Sequence, residues 1–170
     1  MKLILLPPEY YPVDGPLIFL AGPIQGALDW QDQAIEFFVQ HDGVSVASPR
    51  RPDVISPGEF TADDYNAQVD WEHHYLERAG RDGVILFWLA AEAEHDCGRA
   101  YAQTTRFELG EAVTLHRLRG VQVVVGIEPG FSNARYLRRT IAKKAPFIPI
   151  RDTLESACAA ALDLALHAQP

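Results

Sequence analysis

Residues 83–89 read GVILFWL, and this run is the strongest strand signal in the chain. Every residue after the glycine is apolar, so such a strand has no polar face to turn toward water. Strands that are apolar on both faces are typical of a parallel sheet that helices cover on each side. The segment therefore predicts a buried strand of an α/β protein.

Apolar runs on either side of this segment alternate with helical patterns. Further strands are predicted over 17–21, 44–47, 121–126 and, as a short edge strand, 147–149. Helices are predicted over 30–40 (with Asp29 as N-cap), 64–80, 106–119, 134–143 and 153–167. This alternation predicts a doubly wound, flavodoxin- or Rossmann-like α/β fold, with a five-stranded parallel sheet and helices on both faces.

Length and composition set the class of protein. The 170 residues predict a single domain over 1–170, and a formal net charge of −8 argues against binding to nucleic acid polymers or anionic membranes. The apolar start stops at Pro7, too early for a signal peptide, and no apolar run approaches the roughly 20 residues of a membrane span. Two cysteines, Cys97 and Cys158, suit a reducing compartment. We expect a soluble cytoplasmic protein.

Ligands of doubly wound sheets bind beyond the carboxyl ends of the strands. The loops expected there are 22–29, 48–63, 90–105 and 127–133. Gly22 opens the first loop, either to admit a ligand close to the backbone or as a plain turn. Arg50 and Arg51 follow the second strand, where they would bind a carboxylate, a phosphate or a base edge, or form a solvated pair.

The predicted helix over 64–80 places an acidic residue on its apolar side. The residues of that apolar stripe are Tyr65, Val69, Leu76 and Ala79. Glu72 falls inside the stripe, whereas Asp70 points away. Such a break of the pattern indicates either a functional carboxylate or a partly buried ion pair with Arg78 or Arg99.

Glu108 has two interpretations. Thr105 followed three residues later by Glu108 matches a capping box, in which the glutamate bonds back to the backbone at the start of the helix. Alternatively, Glu108 is an ionised carboxylate in the first helical turn, at the mouth of the binding crevice, and available for attack on a sugar carbon. The residues alone leave both interpretations open.

Metal binding and serine hydrolysis are not supported. The candidate ligands are His73, His74, His95, Asp96 and Cys97, and their spacing fits no usual zinc pattern. A G-x-S-x-G motif is absent from the sequence. We expect no metal and no cofactor.

Four motifs in order carry a resemblance. They are FLAGPI at 19–24, PRRP at 49–52, QVDWE at 68–72 and RFELGEA at 106–112. In this order, over about residues 17–133, the chain resembles the nucleoside 2-deoxyribosyltransferase family.

The resemblance implies a double displacement that retains the sugar's configuration. Glu108 would attack the anomeric carbon and form a glycosyl-enzyme ester. Glu72, with Asp70 as the alternative, would protonate the departing base and then deprotonate the incoming one. Classical members carry a tyrosine that bonds the nucleophile. Phe19 stands there in this chain, so Tyr65 or Tyr101 would have to replace it.

The resemblance also implies substrate contacts. The expected base or sugar contacts are Gly22, Gln25, Arg50, Arg51 and Trp71. Asn133 would hold the sugar 5′-hydroxyl in a neighbouring subunit's site, and Arg135 would favour a 5′-phosphate. The expected partners are a nucleoside or nucleotide, a free nucleobase and further copies of the chain, as a dimer or a multiple of dimers.

Three functions follow from these observations. The first is transfer of 2-deoxyribose between nucleobases. The second is an N-glycosidase of the same fold that releases free base from a nucleoside 5′-monophosphate. The third is a nucleotide-binding module without turnover, which the capping-box interpretation of Glu108 would favour.

Overall fold

The computed structural model describes residues 2–52 and 60–167, so residues 53–59 of the predicted 48–63 loop lie outside it. The strands in the described part are β1 (Ile4–Leu5), β2 (Leu17–Ala21), β3 (Ser45–Ala47), β4 (Gly83–Leu89), β5 (Val123–Ile127) and β6 (Ile150–Arg151). The helices there are α1 (Trp30–Val39), α2 (Ala62–Asp82), α3 (Gln103–Arg119), α4 (Ala134–Lys144) and α5 (Leu154–His167).

The strands form one sheet in the order β1-β3-β2-β4-β5-β6, and every neighbouring pair is parallel. With β1 set aside, the remaining order is the 2-1-3-4-5 arrangement of flavodoxin-like sheets. The predicted doubly wound parallel fold is therefore confirmed. The strand order reverses at β2, because the chain passes from β3 across β2 to β4, and a ligand crevice is expected beyond this point.

The sheet has six strands in the described residues, not the predicted five. The additional strand, β1, pairs with Val46 and Ala47 of β3 and is too short to give a periodic signal. The predicted edge strand over 147–149 is displaced: β6 is Ile150–Arg151, and Phe147 is 87% exposed. Pairing with Val125 and Gly126 of β5, and not local hydrophobicity, decides where β6 lies.

Successive residues of each strand face opposite layers of helices. In β2, Phe19 and Ala21 pack into the layer that contains Trp71 of α2 and Leu109 of α3. Ile18 packs into the other layer with residues of α1 and α5. Helices α2, α3 and α4 thus cover one face, and α1 and α5 cover the other, which explains why the strands are apolar throughout.

Caps fix the first turns of two helices. The Asp29 carboxylate accepts from the Asp32 amide at 3.1 Å, as predicted for α1. Helix α2 begins two residues before its predicted start, because Thr61 and Asp64 form a reciprocal capping box. No helix within the described ranges is both long and apolar enough to cross a membrane.

Candidate active site

Glu72 and Glu108 come from neighbouring helices on the same face of the sheet. Both side chains are half-buried, on α2 and α3 respectively. They are close enough for the charge of Glu72 to act on Glu108. Two carboxylates that sequence reasoning chose separately therefore interact electrostatically in the folded chain.

The environment of Glu108 disfavours its charge. Burial, followed by the negative charges of Glu72 and Glu111, raises the pKa of Glu108 from its ordinary value of 4.5 to about 7. We expected the start of the helix to stabilise the ionised form of Glu108. That expectation is wrong, because α3 begins at Gln103 and Glu108 lies in its second turn.

The capping-box interpretation of Glu108 is also wrong. The N-cap of α3 is Ala102, which has a left-handed backbone with φ of 55°, and no side chain caps this end. Thr105 instead lies inside the first turn and is buried. Because Glu108 has no capping role, its burial beside Glu72 needs another explanation.

The hydroxyl expected to support Glu108 does not contact it among the described residues. Tyr101 donates to the carbonyl oxygens of Ala90 at 2.8 Å and Ala91 at 3.2 Å. Burial raises the pKa of Tyr101 to about 12, so the hydroxyl remains a donor at neutral pH. Tyr65 is 58% exposed on α2.

Glu72 differs from Glu108 because it receives a hydrogen bond. Burial raises the pKa of Glu72, while the hydrogen bond from Gln68 and the nearby His73 act in the opposite direction. Gln68 Nε2 donates to Glu72 Oε1 at 2.7 Å. Of the two carboxylates, Glu72 is therefore the one whose anion is specifically stabilised.

Gln68 connects Glu72 to the segment after β3 that contains Pro49 and Arg51. Its Nε2 also donates to the carbonyl oxygen of Pro49 at 2.8 Å, and its Oε1 accepts from Arg51 Nε at 2.9 Å. The Arg51 guanidinium lies 5.3 Å from the centre of the Phe60 ring. Sequence reasoning gave Gln68 no role, although its i,i+4 spacing from Glu72 was a signal for this contact.

Arg50 turns toward α1. Its Nε lies 3.1 Å from both the Asp29 carboxylate and Gln31 Oε1, and its terminal nitrogen donates to the carbonyl oxygen of Ile24 at 3.4 Å. Asp29 thus balances much of its charge. Arg50 and Arg51 both line a cavity of about 280 Å³ beside α1, which Glu72 and Glu108 do not line.

Trp71 lies in the core, in contrast to the expected base contact. It is 0% exposed and donates from Nε1 to the carbonyl oxygen of Glu9 at 2.8 Å. The buried face of α2 consists of Trp71, Tyr75 and Ala79. The predicted stripe was therefore partly wrong, since Tyr65 is exposed, and Glu72 sits at the edge of the buried face.

Residues 8–14, here called the N-terminal arm, cover this face of α2. The Tyr75 hydroxyl accepts from the amide of Tyr11 at 2.8 Å and lies 3.2 Å from its carbonyl oxygen. Arg78 donates to the carbonyl oxygen of Val13 at 3.2 Å. The arm therefore fixes the helix that carries Gln68 and Glu72.

The remaining predicted site residues are dispersed. Gln25 and Asp70 are exposed, and Asp70 is not among the charges that shift Glu108. Asn133 is exposed at the start of α4, with φ of 60°. Gly22 packs against the backbone of Trp88, so the space that a Cβ atom would need there is filled by protein.

Arg106 joins the loop before Asn133 to the start of α3. It donates to the carbonyl oxygen of Ser132 at 3.1 Å and to its hydroxyl at 2.6 Å, and lies 4.5 Å from the centre of the Phe131 ring. The loop is thus held by Arg106, which precedes Glu108 by two positions in the sequence. Within the described ranges, no cluster of three histidine, cysteine or acidic side chains could hold a metal ion.

These features define an α/β protein of flavodoxin-like strand order with a pair of interacting carboxylates on one face of the sheet. A family model described as nucleoside 2-deoxyribosyltransferase like matches residues 15–131. The chain belongs to this family, which confirms the resemblance. No curated protein gives a significant match to the chain. The matched region contains Glu72 and Glu108, whereas the N-terminal arm precedes it.

Proposed function

We propose that the protein transfers 2-deoxyribose between nucleobases by a retaining double displacement. The observation that carries this proposal is the pair formed by Glu72 and Glu108 in a chain of the deoxyribosyltransferase-like family. Double displacement requires one carboxylate that attacks and one carboxylic acid that protonates the leaving group. Two neighbouring, partly buried carboxyl groups meet this requirement, because their mutual repulsion favours a state with a single proton.

In the first step, a carboxylate oxygen of Glu108 attacks C1′ of the deoxyribose. The bond between C1′ and the base nitrogen breaks, and the base takes the proton of Glu72. In the second step, the incoming base gives a proton to Glu72 and attacks C1′, which releases Glu108 from its ester. Each step inverts C1′, so the configuration is retained overall.

The electrostatics of the two glutamates indicate how the nucleophile is generated. In the free protein a single proton favours Glu108, because Glu72 alone receives a hydrogen bond from Gln68. An acceptor nitrogen of a nucleobase beside Glu72 would bind the protonated form of Glu72. The single proton would then reside on Glu72 and leave Glu108 ionised, so that substrate binding itself prepares the attack.

The two rival functions have less support. The binding-module hypothesis drew on the capping box, which α3 does not have. The monophosphate hydrolase needs Arg50, Arg51 or Arg135 to hold the 5′-phosphate, and the first of these is already paired with Asp29. Both remain outcomes of the assay below.

The test is base exchange. The protein is incubated with deoxynucleosides and free bases, products are separated by chromatography, and a donor-only reaction runs in parallel. We expect exchange in the wild type, its loss in Glu108→Gln, and near-normal exchange in Glu77→Gln, which removes an exposed glutamate of α2. Wild-type exchange in Glu108→Gln would refute the mechanism. Base release from a monophosphate without acceptor would favour the hydrolase, and ligand-induced stabilisation without any product would favour the binding module.

We also propose that the protein acts on free nucleosides in the cytoplasm as a homo-oligomer, a dimer or a multiple of dimers. Phe107 is 78% exposed, and Tyr136 on α4 is also exposed, so apolar surface is available near Glu108 for a second copy. Light scattering on the purified protein tests this; a monomer at assay concentration would contradict it.

A further inference from the structure

The side-chain amide of Gln68 makes three hydrogen bonds. Its Oε1 accepts from Arg51 at 2.9 Å, and its Nε2 donates to the carbonyl oxygen of Pro49 at 2.8 Å and to Oε1 of Glu72 at 2.7 Å. These partners fix which end of the amide is oxygen. In the flipped orientation the amide oxygen would face a carbonyl and a carboxylate, while its nitrogen would face a guanidinium.

Arg51 is itself held in place. Its guanidinium stacks near the Phe60 ring at 5.3 Å, and its Nε is used by Gln68. The loop that follows β3 is thus connected through one amide to the carboxylate of Glu72. Glu108, on the neighbouring helix, has no equivalent connection among the described residues. This asymmetry distinguishes two otherwise similar glutamates.

We infer that Gln68 is a positioning residue for the transfer reaction: its amide fixes Oε1 of Glu72 and leaves Oε2 as the atom that exchanges the proton with the base. The inference rests on the proposed function. Arg51 acts one step further away, by fixing the orientation of the Gln68 amide. Neither residue has to touch the reacting atoms for this role.

The hydrogen bond from Gln68 stabilises the charge that develops during the reaction. When the base leaves, Glu72 gives up its proton and becomes an anion, and the Gln68 amide already points at the oxygen that shares this charge. A donor that is in place before the charge forms lowers the barrier without reorganisation. The donor therefore makes Glu72 a stronger acid.

The test compares Gln68→Met, which removes all three hydrogen bonds, with Gln68→Glu, which retains an acceptor for Arg51. Gln33→Met is the matched control: Gln33 is an exposed residue of α1, and its amide donates to the carbonyl oxygen of Asp29 at 3.3 Å. Thermal unfolding of all variants is measured with kcat, KM and the pH profile of base exchange.

For Gln68→Met we expect kcat to fall about tenfold, the loss of one hydrogen bond to a charged group, with little change in KM. Loss of the donor raises the pKa of Glu72, so the high-pH limb of the profile moves to higher pH. Gln68→Glu adds a negative charge beside Glu72 and moves this limb further. Gln33→Met changes neither kcat nor the profile.

Three results would overturn the inference: a kcat of Gln68→Met like that of Gln33→Met, a lower kcat with an unmoved profile in both Gln68 variants, or an equal fall in KM and kcat. Carboxyl ¹³C NMR titration of the glutamates separates this inference from the proposed function. If the wild type exchanges no base, the proposed function fails. A Glu72 titration that moves upward in Gln68→Met still supports the positioning role, and an unchanged titration refutes it.

Discussion

Gly22 packs directly against Trp88 of the neighbouring strand. A Cβ atom placed on Gly22 would lie 2.3 Å from the Trp88 carbonyl oxygen and 2.7 Å from the ring of Trp30. Both distances are far below van der Waals contact. The glycine that follows β2 is therefore required by close packing between two strands and a helix, at the point where the strand order reverses.

Gly22→Ala should destabilise the fold. The carbonyl oxygen belongs to the backbone of β4 and has no flexible side chain that could move away, so we expect a loss of about 1–3 kcal/mol in the free energy of unfolding. Chemical denaturation measures this change. Gly110→Ala is the control, because a Cβ at Gly110 meets nothing within 4 Å, and the helical position should gain about 0.5–1 kcal/mol. Equal effects of the two substitutions would contradict the packing argument.

The N-terminal arm should loosen when the Tyr75 hydroxyl is removed. In Tyr75→Phe, the amide of Tyr11 loses its acceptor, and we expect a loss of about 1 kcal/mol in unfolding free energy. Limited proteolysis should then cut within residues 8–14 faster than in the wild type. Tyr65→Phe, on the exposed side of the same helix, should change neither measurement. An arm that stays equally resistant in Tyr75→Phe would show that other contacts hold it.

The course of the sheet could be predicted because its signals are local. β2 and β4 have the bounds that their apolar runs predict, 17–21 and 83–89. The short strands β1 and β6 could not be located in this way. Each has two residues, and each exists because a neighbouring strand offers it a hydrogen-bonding edge.

The site was only partly predictable for a similar reason. A helical wheel put Glu72 near the core, but it could not show that a segment some 60 residues earlier in the chain covers Trp71 and Tyr75. Likewise, the Thr105 and Glu108 spacing matches a capping box. Only the fold shows that α3 begins three residues earlier than predicted. Thr105 is therefore a buried residue of the first turn, and Glu108 is a half-buried carboxylate of the second turn.

Stability should depend on pH through Glu108. Its pKa in the folded chain is raised from 4.5 to about 7, so folding favours the protonated form. This contribution is complete below pH 4.5 and is lost as the pH rises through 7. Glu108→Gln stays neutral, so at pH 8 it should be more stable than the wild type by up to about 3 kcal/mol, since one pKa unit corresponds to about 1.4 kcal/mol.

Denaturation of both proteins between pH 4 and 8 checks this expectation, with Glu77→Gln, at an exposed position on α2, as the control. The stability difference between Glu108→Gln and the wild type should be small near pH 4 and grow as the pH rises. A difference that stays constant over this range would mean that Glu108 is not held in a charge-disfavouring site.

The roles of the two glutamates can be separated by the leaving group. An ordinary base leaves only when it is protonated, whereas the cationic base of 7-methyl-2′-deoxyguanosine leaves as a neutral molecule without a proton. Glu72→Gln should therefore lose about 10²–10⁴-fold in rate with ordinary deoxynucleosides, the usual contribution of a general acid, but still cleave the methylated donor. Glu108→Gln should cleave neither, because a neutral amide replaces the attacking carboxylate.

The same variant should accumulate the intermediate. In Glu72→Gln the methylated donor forms the glycosyl ester, but no base remains at position 72 to activate the acceptor, so the second step is slow. Intact-protein mass spectrometry should detect a deoxyribosyl adduct, and peptide mapping should place it on Glu108. Glu77→Gln, an exposed glutamate on the same helix as Glu72, should behave as the wild type. An adduct on Glu72 in a Glu108→Gln protein would contradict this assignment. The attacking carboxylate would then be Glu72, whose anion receives the hydrogen bond from Gln68.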